Sequence, residues 1–152
     1  MTDKLLFAGD EPFPRTGPMK IGSPDFRTRA VLLVAGSRHY TNREHVFREI
    51  DKWIAVHGRP AKLLSGECAT GVDLLAKIYA QQHKIEYEGF PAKWAGSGRQ
   101  RRACGPIRNA KMIDLCTHLL AFPSTQHSPG TNDTIRKARL KHLPVTEIKV
   151  VV

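Results

Sequence analysis

Four short apolar runs in this chain each end in a glycine-bearing turn, and each turn leads into a stretch with helical periodicity. Ala30–Ala35 is a continuous apolar run of strand length. Such runs suit a parallel strand covered on both faces, because an exposed face would require alternation. Lys62–Ser65, Ile85–Phe90, His118–Phe122 and the valine-rich Pro144–Val152 supply four further strands. Between them, Val46, Phe47, Ile50, Trp53 and Ile54 recur at helical spacing, as do Leu74, Leu75, Ile78 and Tyr79. Thr41 or Asn42 caps the first helix, and Gly58 with Pro60 stops it. Pro106 is expected to open the third helix, with Ile107, Met112, Ile113 and Leu115 inward, and Gly130 to open a fourth running to about Leu140. Strand–helix alternation of this kind implies right-handed crossovers and an α/β, Rossmann-like, doubly wound parallel sheet of about five strands in a single domain.

The domain begins near Arg29. Residues 1–28 contain Gly9, Pro12, Pro14, Gly17, Pro18, Gly22 and Pro24 without periodicity and read as an irregular N-terminal arm, leaving 29–152 as the domain proper. A chain of 152 residues has room for one core, and its 41% hydrophobic content is ordinary for a folded soluble protein. No apolar run is long enough to span a bilayer, and the N-terminus lacks a secretory pattern, so the expectation is a cytoplasmic protein with no membrane partner. The three cysteines, Cys68, Cys104 and Cys116, form no CxxC pair and suit a reducing compartment. The seven histidines show no ligand spacing, so no metal and no resident cofactor are expected.

In an open α/β sheet, ligands bind outside the carboxyl ends of the strands, where the glycine turns lie. Helix N-termini there offer unpaired N–H groups and a partial positive charge, which favour phosphate. Gly36-Ser37-Arg38 follows the first strand: Gly36 permits a tight turn, while Ser37 and Arg38 donate to an anion. Gly66 through Gly71 forms a second turn, neither a Walker A loop nor a clean GxGxxG, which argues against ATP hydrolysis and nicotinamide redox chemistry. Its small residues still admit a phosphate or ribose, with Glu67 and Asp73 as candidates for ribose hydroxyls or, for Asp73, for the helix's own amides. Arg108, expected in the first turn of its helix next to Asn109, is poorly placed against the helix dipole unless it meets an anion or a carboxylate. Gly130 and Thr131 offer amides and a hydroxyl to phosphate. Asp133 either caps its helix or stabilises positive charge at a sugar C1′, as cleavage of a glycosidic bond requires.

The net charge of +10 comes from 24 Lys and Arg against 14 Asp and Glu. It concentrates in two acid-free stretches: one holds Lys93, Arg99, Arg101, Arg102, Arg108 and Lys111, the other Arg136, Lys137, Arg139 and Lys141. Both are compatible with a solvated surface, and the first also with phosphate. Trp94, within the first stretch, either packs or covers a bound base.

Taken in order, Val34-Ala35-Gly36-Ser37-Arg38, Ser65-Gly66 to Gly71-Val72-Asp73, Phe90-Pro91-Ala92-Lys93-Trp94, Gly105-Pro106-Ile107-Arg108-Asn109 to Met112, Ala121-Phe122-Pro123 and Gly130-Thr131-Asn132-Asp133 resemble the SLOG superfamily, near its YspA/YpsA-related group. The resemblance runs from about Arg29 to Val150. The superfamily also holds the LOG phosphoribohydrolases, which free a base from a nucleoside 5′-monophosphate. Arg108 with Met112, and Gly130-Thr131-Asn132-Asp133, are similar to their arginine–methionine pair and their PGGxGTxxE segment, with Asp133 in the place of a catalytic glutamate. Pro123 is, however, separated from Gly130 by Ser124–Pro129, and Asp is shorter than Glu. The resemblance therefore implies binding of a nucleotide or nucleotide-derived ligand first, and N-glycosidic hydrolysis with Arg108 and Asp133 as the catalytic pair second. It also implies a homo-oligomer. A non-catalytic sensor of a signalling nucleotide is the alternative. Single-stranded nucleic-acid binding through residues 93–111 ranks below both, because only 7% of the residues are aromatic.

Overall fold

The computed structural model describes Thr28–Val152; all but the last residue of the expected arm, 1–28, lies outside the described residues. The elements run β1 (Val31–Gly36), α1 (Arg43–His57), β2 (Lys62–Ser65), α2 (Gly71–Gln82), β3 (Tyr87–Gly89), α3 (Arg99–Leu115), β4 (His118–Phe122), α4 (Pro129–Leu140) and β5 (Val145–Glu147). The five strands form one sheet in the order β3-β2-β1-β4-β5, and every pairing is parallel.

The continuous apolar run of β1 is explained by its central place. Leu32 and Val34 point to one face and pack with Val46, Ile50 and Trp53 of α1 and Val72, Ala76 and Tyr79 of α2. Leu33 and Ala35 point to the other face and pack with Met112 and Ile113 of α3 and Ile135 and Ala138 of α4. Two helices therefore cover each face, and the period-two pleat divides one strand between two cores. Because the chain leaves β1 toward β2 on one side and reaches β4 on the other, the connection reverses direction between β1 and β4. A doubly wound sheet opens its crevice at that point.

The largest departure from the sequence reading is α3. The helix begins at Arg99, so Pro106 lies inside it rather than at its start. Proline at this point forfeits the bond from its own nitrogen to the carbonyl of Arg102. Arg102 is exposed, so water can satisfy that carbonyl, and Arg99 to Cys104 are ordinary helix formers that extend the helix upstream. Arg108 consequently sits well inside the helix, and the argument from a first-turn arginine does not apply to it. The basic residues that do crowd the start of α3 are Arg99, Arg101 and Arg102, with no acid among them.

Candidate functional site

The turns after β1, β2 and β4 meet the middle of α3 around one cavity of about 430 Å³. Gly36, Ser37, Arg38 and His39 come from the first turn; Gly66, Cys68 and Asp73 from the second; Arg108, Asn109 and Met112 from α3; and His127 to Thr131, with Thr134, from the fourth.

Hydrogen bonds fix the turns to one another. The Val72 amide donates to the Ser37 carbonyl at 3.2 Å, and the Thr70 hydroxyl donates to the Arg38 carbonyl at 2.9 Å. Gly71 lies against that junction with φ +73°, where a Cβ would fall within 2.5 Å of the Arg38 backbone. Only glycine fits both the conformation and the approach. Arg108 Nη1 donates to the carbonyls of Gly66 at 2.7 Å and Phe90 at 3.0 Å, and its Nε donates to Asn109 Oδ1 at 2.9 Å. Asn109, buried, passes the chain of bonds on: its Nδ2 donates to Asp133 Oδ2 at 3.0 Å and, at 3.4 Å, to the Gly130 carbonyl. The Arg108–Asn109 pair thus clamps the β2–α2 turn to the start of α4.

Asp73 and Arg108 share the space beside Gly66, where a Cβ would sit 2.9 Å from Asp73 Oδ2 and 2.8 Å from Arg108 Nη1. Burial pushes the Asp73 carboxyl up to about 6, although the Cys68 amide, at 3.3 Å, and the charges of Arg108 and Arg38 act against it. Burial likewise lowers Arg108 from the usual guanidinium value, with Arg38 contributing and Asp73 opposing. Arg38 is exposed at the rim and has no carboxylate partner among the described residues. Of the four helices among the described residues, only α1 has a side-chain cap; α2, α3 and α4 have none. Asn42 caps α1, away from the cavity, by accepting from the His45 amide at 3.0 Å. No side chain caps α4, whose Ser128, Pro129, Gly130 and Thr131 line the cavity. Its first-turn amides, orphaned as in any helix start, remain for a ligand.

Of the residues expected from sequence, Gly36, Ser37, Arg38, Gly66, Asp73, Arg108, Asn109, Gly130 and Thr131 line this cavity, while Glu67, Gly71 and Asp133 do not. Glu67, at φ 58°, turns away: it accepts from the Tyr87 hydroxyl at 2.6 Å and pairs with Lys77 at 3.6 Å. Gly71 serves the turn junction rather than the cavity wall. Asp133 stands behind Asn109, its oxygens engaged by Arg136 at 2.8 Å and Lys137 at 2.5 Å. Burial acts to raise its pKa, but the bonds from Lys137, Asn109 and Arg136 outweigh that and hold the carboxyl below the usual range. Cys68, Ser128 and Thr134 were not anticipated. Ser128 was legible as the residue before a helix-opening proline, and Thr134 as one turn beyond Gly130, to whose carbonyl it donates at 3.1 Å. Cys68 carries no sequence signal of this role.

The two basic stretches also part company. Arg136, Lys137, Arg139 and Lys141 all pair with carboxylates: Asp133 takes the first two, Glu147 and Asp114 the others. Lys93, Arg99, Arg101, Arg102 and Lys111 have no carboxylate partner among the described residues, although Arg101 stacks on Trp94. Among the described residues no helix is long and apolar enough to cross a membrane, and no cluster of His, Cys, Asp or Glu has metal-binding geometry.

A comparison with curated proteins finds no match. Among solved structures, the chain is similar to the molybdenum cofactor binding protein from the phototrophic bacterium Rippkaea orientalis. The TM-score is 0.59 with 18% identity, covering 81% of this chain and 78% of that one. At that identity the likeness speaks for the fold. Residues 30–96, from the residue before β1 to the loop after β3, match the family described as YspA, cpYpsA-related SLOG, and over that segment the chain is similar to this family.

Proposed function

We propose that this protein binds a phosphorylated, nucleotide-derived small molecule in the cavity at the carboxyl end of the sheet. The observation that carries the reading is the convergence of three strand-end turns and α3 on one space, bound together through Arg108 and Asn109. In this reading the phosphate lies on the uncapped start of α4, against the amides of Gly130 and Thr131, with the exposed Arg38 as the counter-charge. Asp73, the carboxylate that lines the cavity, accepts from ribose hydroxyls. The small-molecule cofactor named for the structural neighbour agrees with a small-ligand role for this fold.

The geometry favours binding without turnover over N-glycosidic hydrolysis. Asp133, the carboxylate assigned to a developing oxocarbenium ion, is occupied by Asn109, Arg136 and Lys137 and stands outside the cavity. Its part here is to orient Asn109. Calorimetric titration with nucleoside 5′-monophosphates and ribose 5-phosphate, followed by chromatography of the recovered ligand, tests both points. Saturable binding with the ligand recovered intact is expected. Released base, abolished by Asp133→Asn, would restore the hydrolytic reading, and absence of binding across the series would remove the proposal.

A further inference from the structure

Outside the cavity, the half-exposed indole of Trp94 stands without an assigned role, on the loop between β3 and α3. Its ring edge rests on Gly105: a Cβ there would be 3.3 Å from Trp94 Cη2. Gly105 is itself buried, although it lies on a helix where glycine costs about 1 kcal/mol relative to alanine. That cost is explained by the room the glycine makes for the indole. Arg101 stacks on the same ring, 5.8 Å from its centroid.

Arg101, Gly105 and Asn109 follow one another at intervals of four along α3, so they share one row of the helix. Asn109 ends that row in the cavity wall. At 1.5 Å rise per residue the indole contact is about 6 Å along the helix from Asn109, a separation that one pentose bridges. The row therefore passes from the polar cavity to a half-exposed aromatic surface with an unpaired guanidinium beside it.

We propose that Trp94, seated on Gly105 and flanked by Arg101, is the base-stacking subsite of this cavity, so that the ligand is a nucleotide rather than a bare sugar phosphate. The inference rests on the phosphate-site reading given above. A nucleobase stacks on the exposed indole, and Arg101 sets a positive charge beside it. Stacking of this kind tolerates any base, since each offers a π face.

The test compares ribose 5-phosphate with the 5′-monophosphates of adenosine, guanosine, cytidine and uridine, by calorimetry and by tryptophan fluorescence. The other tryptophan, Trp53, is buried against His57 in the core, so ligand-dependent quenching reports on Trp94. The nucleotides are expected to bind roughly 5- to 150-fold tighter than ribose 5-phosphate, the span of base–aromatic stacking. Trp94→Ala should bring them down to the ribose 5-phosphate level without altering binding of ribose 5-phosphate itself, and Trp94→Tyr should retain the preference. Equal affinity of nucleotide and ribose 5-phosphate in the wild type, or undiminished nucleotide preference in Trp94→Ala, overturns the subsite and leaves the phosphate site standing. Failure of every probe, ribose 5-phosphate included, overturns both.

Discussion

Replacing Asp73 with asparagine should make the protein more stable at neutral pH and less able to hold its ligand. The carboxyl is raised from 3.8 to about 6, with burial as the main cause. At about 1.4 kcal/mol per unit, the folded state bears about 3 kcal/mol against the ionised form. The sign follows from proton binding. Between pH 3.8 and about 6 the folded chain keeps a proton on Asp73 that the unfolded chain has lost. Asp73's contribution to stability is therefore greatest below that window, falls as pH rises through it, and stays low above it. Asp73→Asn keeps an oxygen to accept from the Cys68 amide and removes the charge. About 1 kcal/mol is returned for the new amide donors, so the net gain at pH 8 is about 2 kcal/mol, or roughly 5–10 °C in Tm for a domain of this size. Urea and thermal unfolding of both chains from pH 4 to pH 8 measure the difference. It should grow with pH across the window and level off above it. A difference that is flat in pH, or a variant less stable at pH 8, would refute the claim that Asp73 is an ionised group held in the cavity at a cost. The same variant should weaken binding of ribose 5-phosphate, which identifies the stored cost as functional.

Gly71→Ala should destabilise by about 3 kcal/mol or more in chemical denaturation, since it combines a left-handed backbone with a clash against Arg38. Gly130→Ala, with open space around the added methyl, should stay within about 0.5 kcal/mol. Arg38→Ala should leave unfolding unchanged yet weaken ribose 5-phosphate binding about tenfold, roughly one charge-assisted contact. Arg108→Ala should lose both binding and about 2–3 kcal/mol of stability, because it leaves the Gly66 and Phe90 carbonyls without their donor. Asp133→Asn should cost about 1 kcal/mol above pH 4 through its ion pairs with Lys137 and Arg136, a contribution that vanishes as the wild-type carboxyl protonates at lower pH. In alkylation with iodoacetamide followed by peptide mass spectrometry, Cys116, buried and pushed up to about 11, should react last of the three cysteines, and ribose 5-phosphate should protect Cys68.

The elements legible in the sequence are those whose pattern is set by one local force. β1 reads as a buried parallel strand because both its faces are covered, and α1 reads to within a residue or two because Asn42 caps it and Gly58 ends it. The start of α3 was not legible, because the preference of proline for a first turn is a statistical tendency. Arg99 to Gly105 extend the helix upstream of Pro106, and the covering indole gives that extension a packed partner. The site shows the same division. Turn glycines announce where the strand-end cavity forms, since backbone geometry is written locally. Which carboxylate faces the cavity depends on partners distant in the chain. Glu67 turns toward Tyr87, and Asp133 is drawn off by Lys137 and Arg136 on its own helix. Asp73 is left facing the cavity beside Arg108, which approaches it from another layer of the fold. Charge runs follow this logic too: the 136–141 stretch is neutralised by carboxylates within reach, and the 93–111 stretch is not. Cations left without a carboxylate partner repel one another, a cost to the isolated chain that an anion bound beside them would offset.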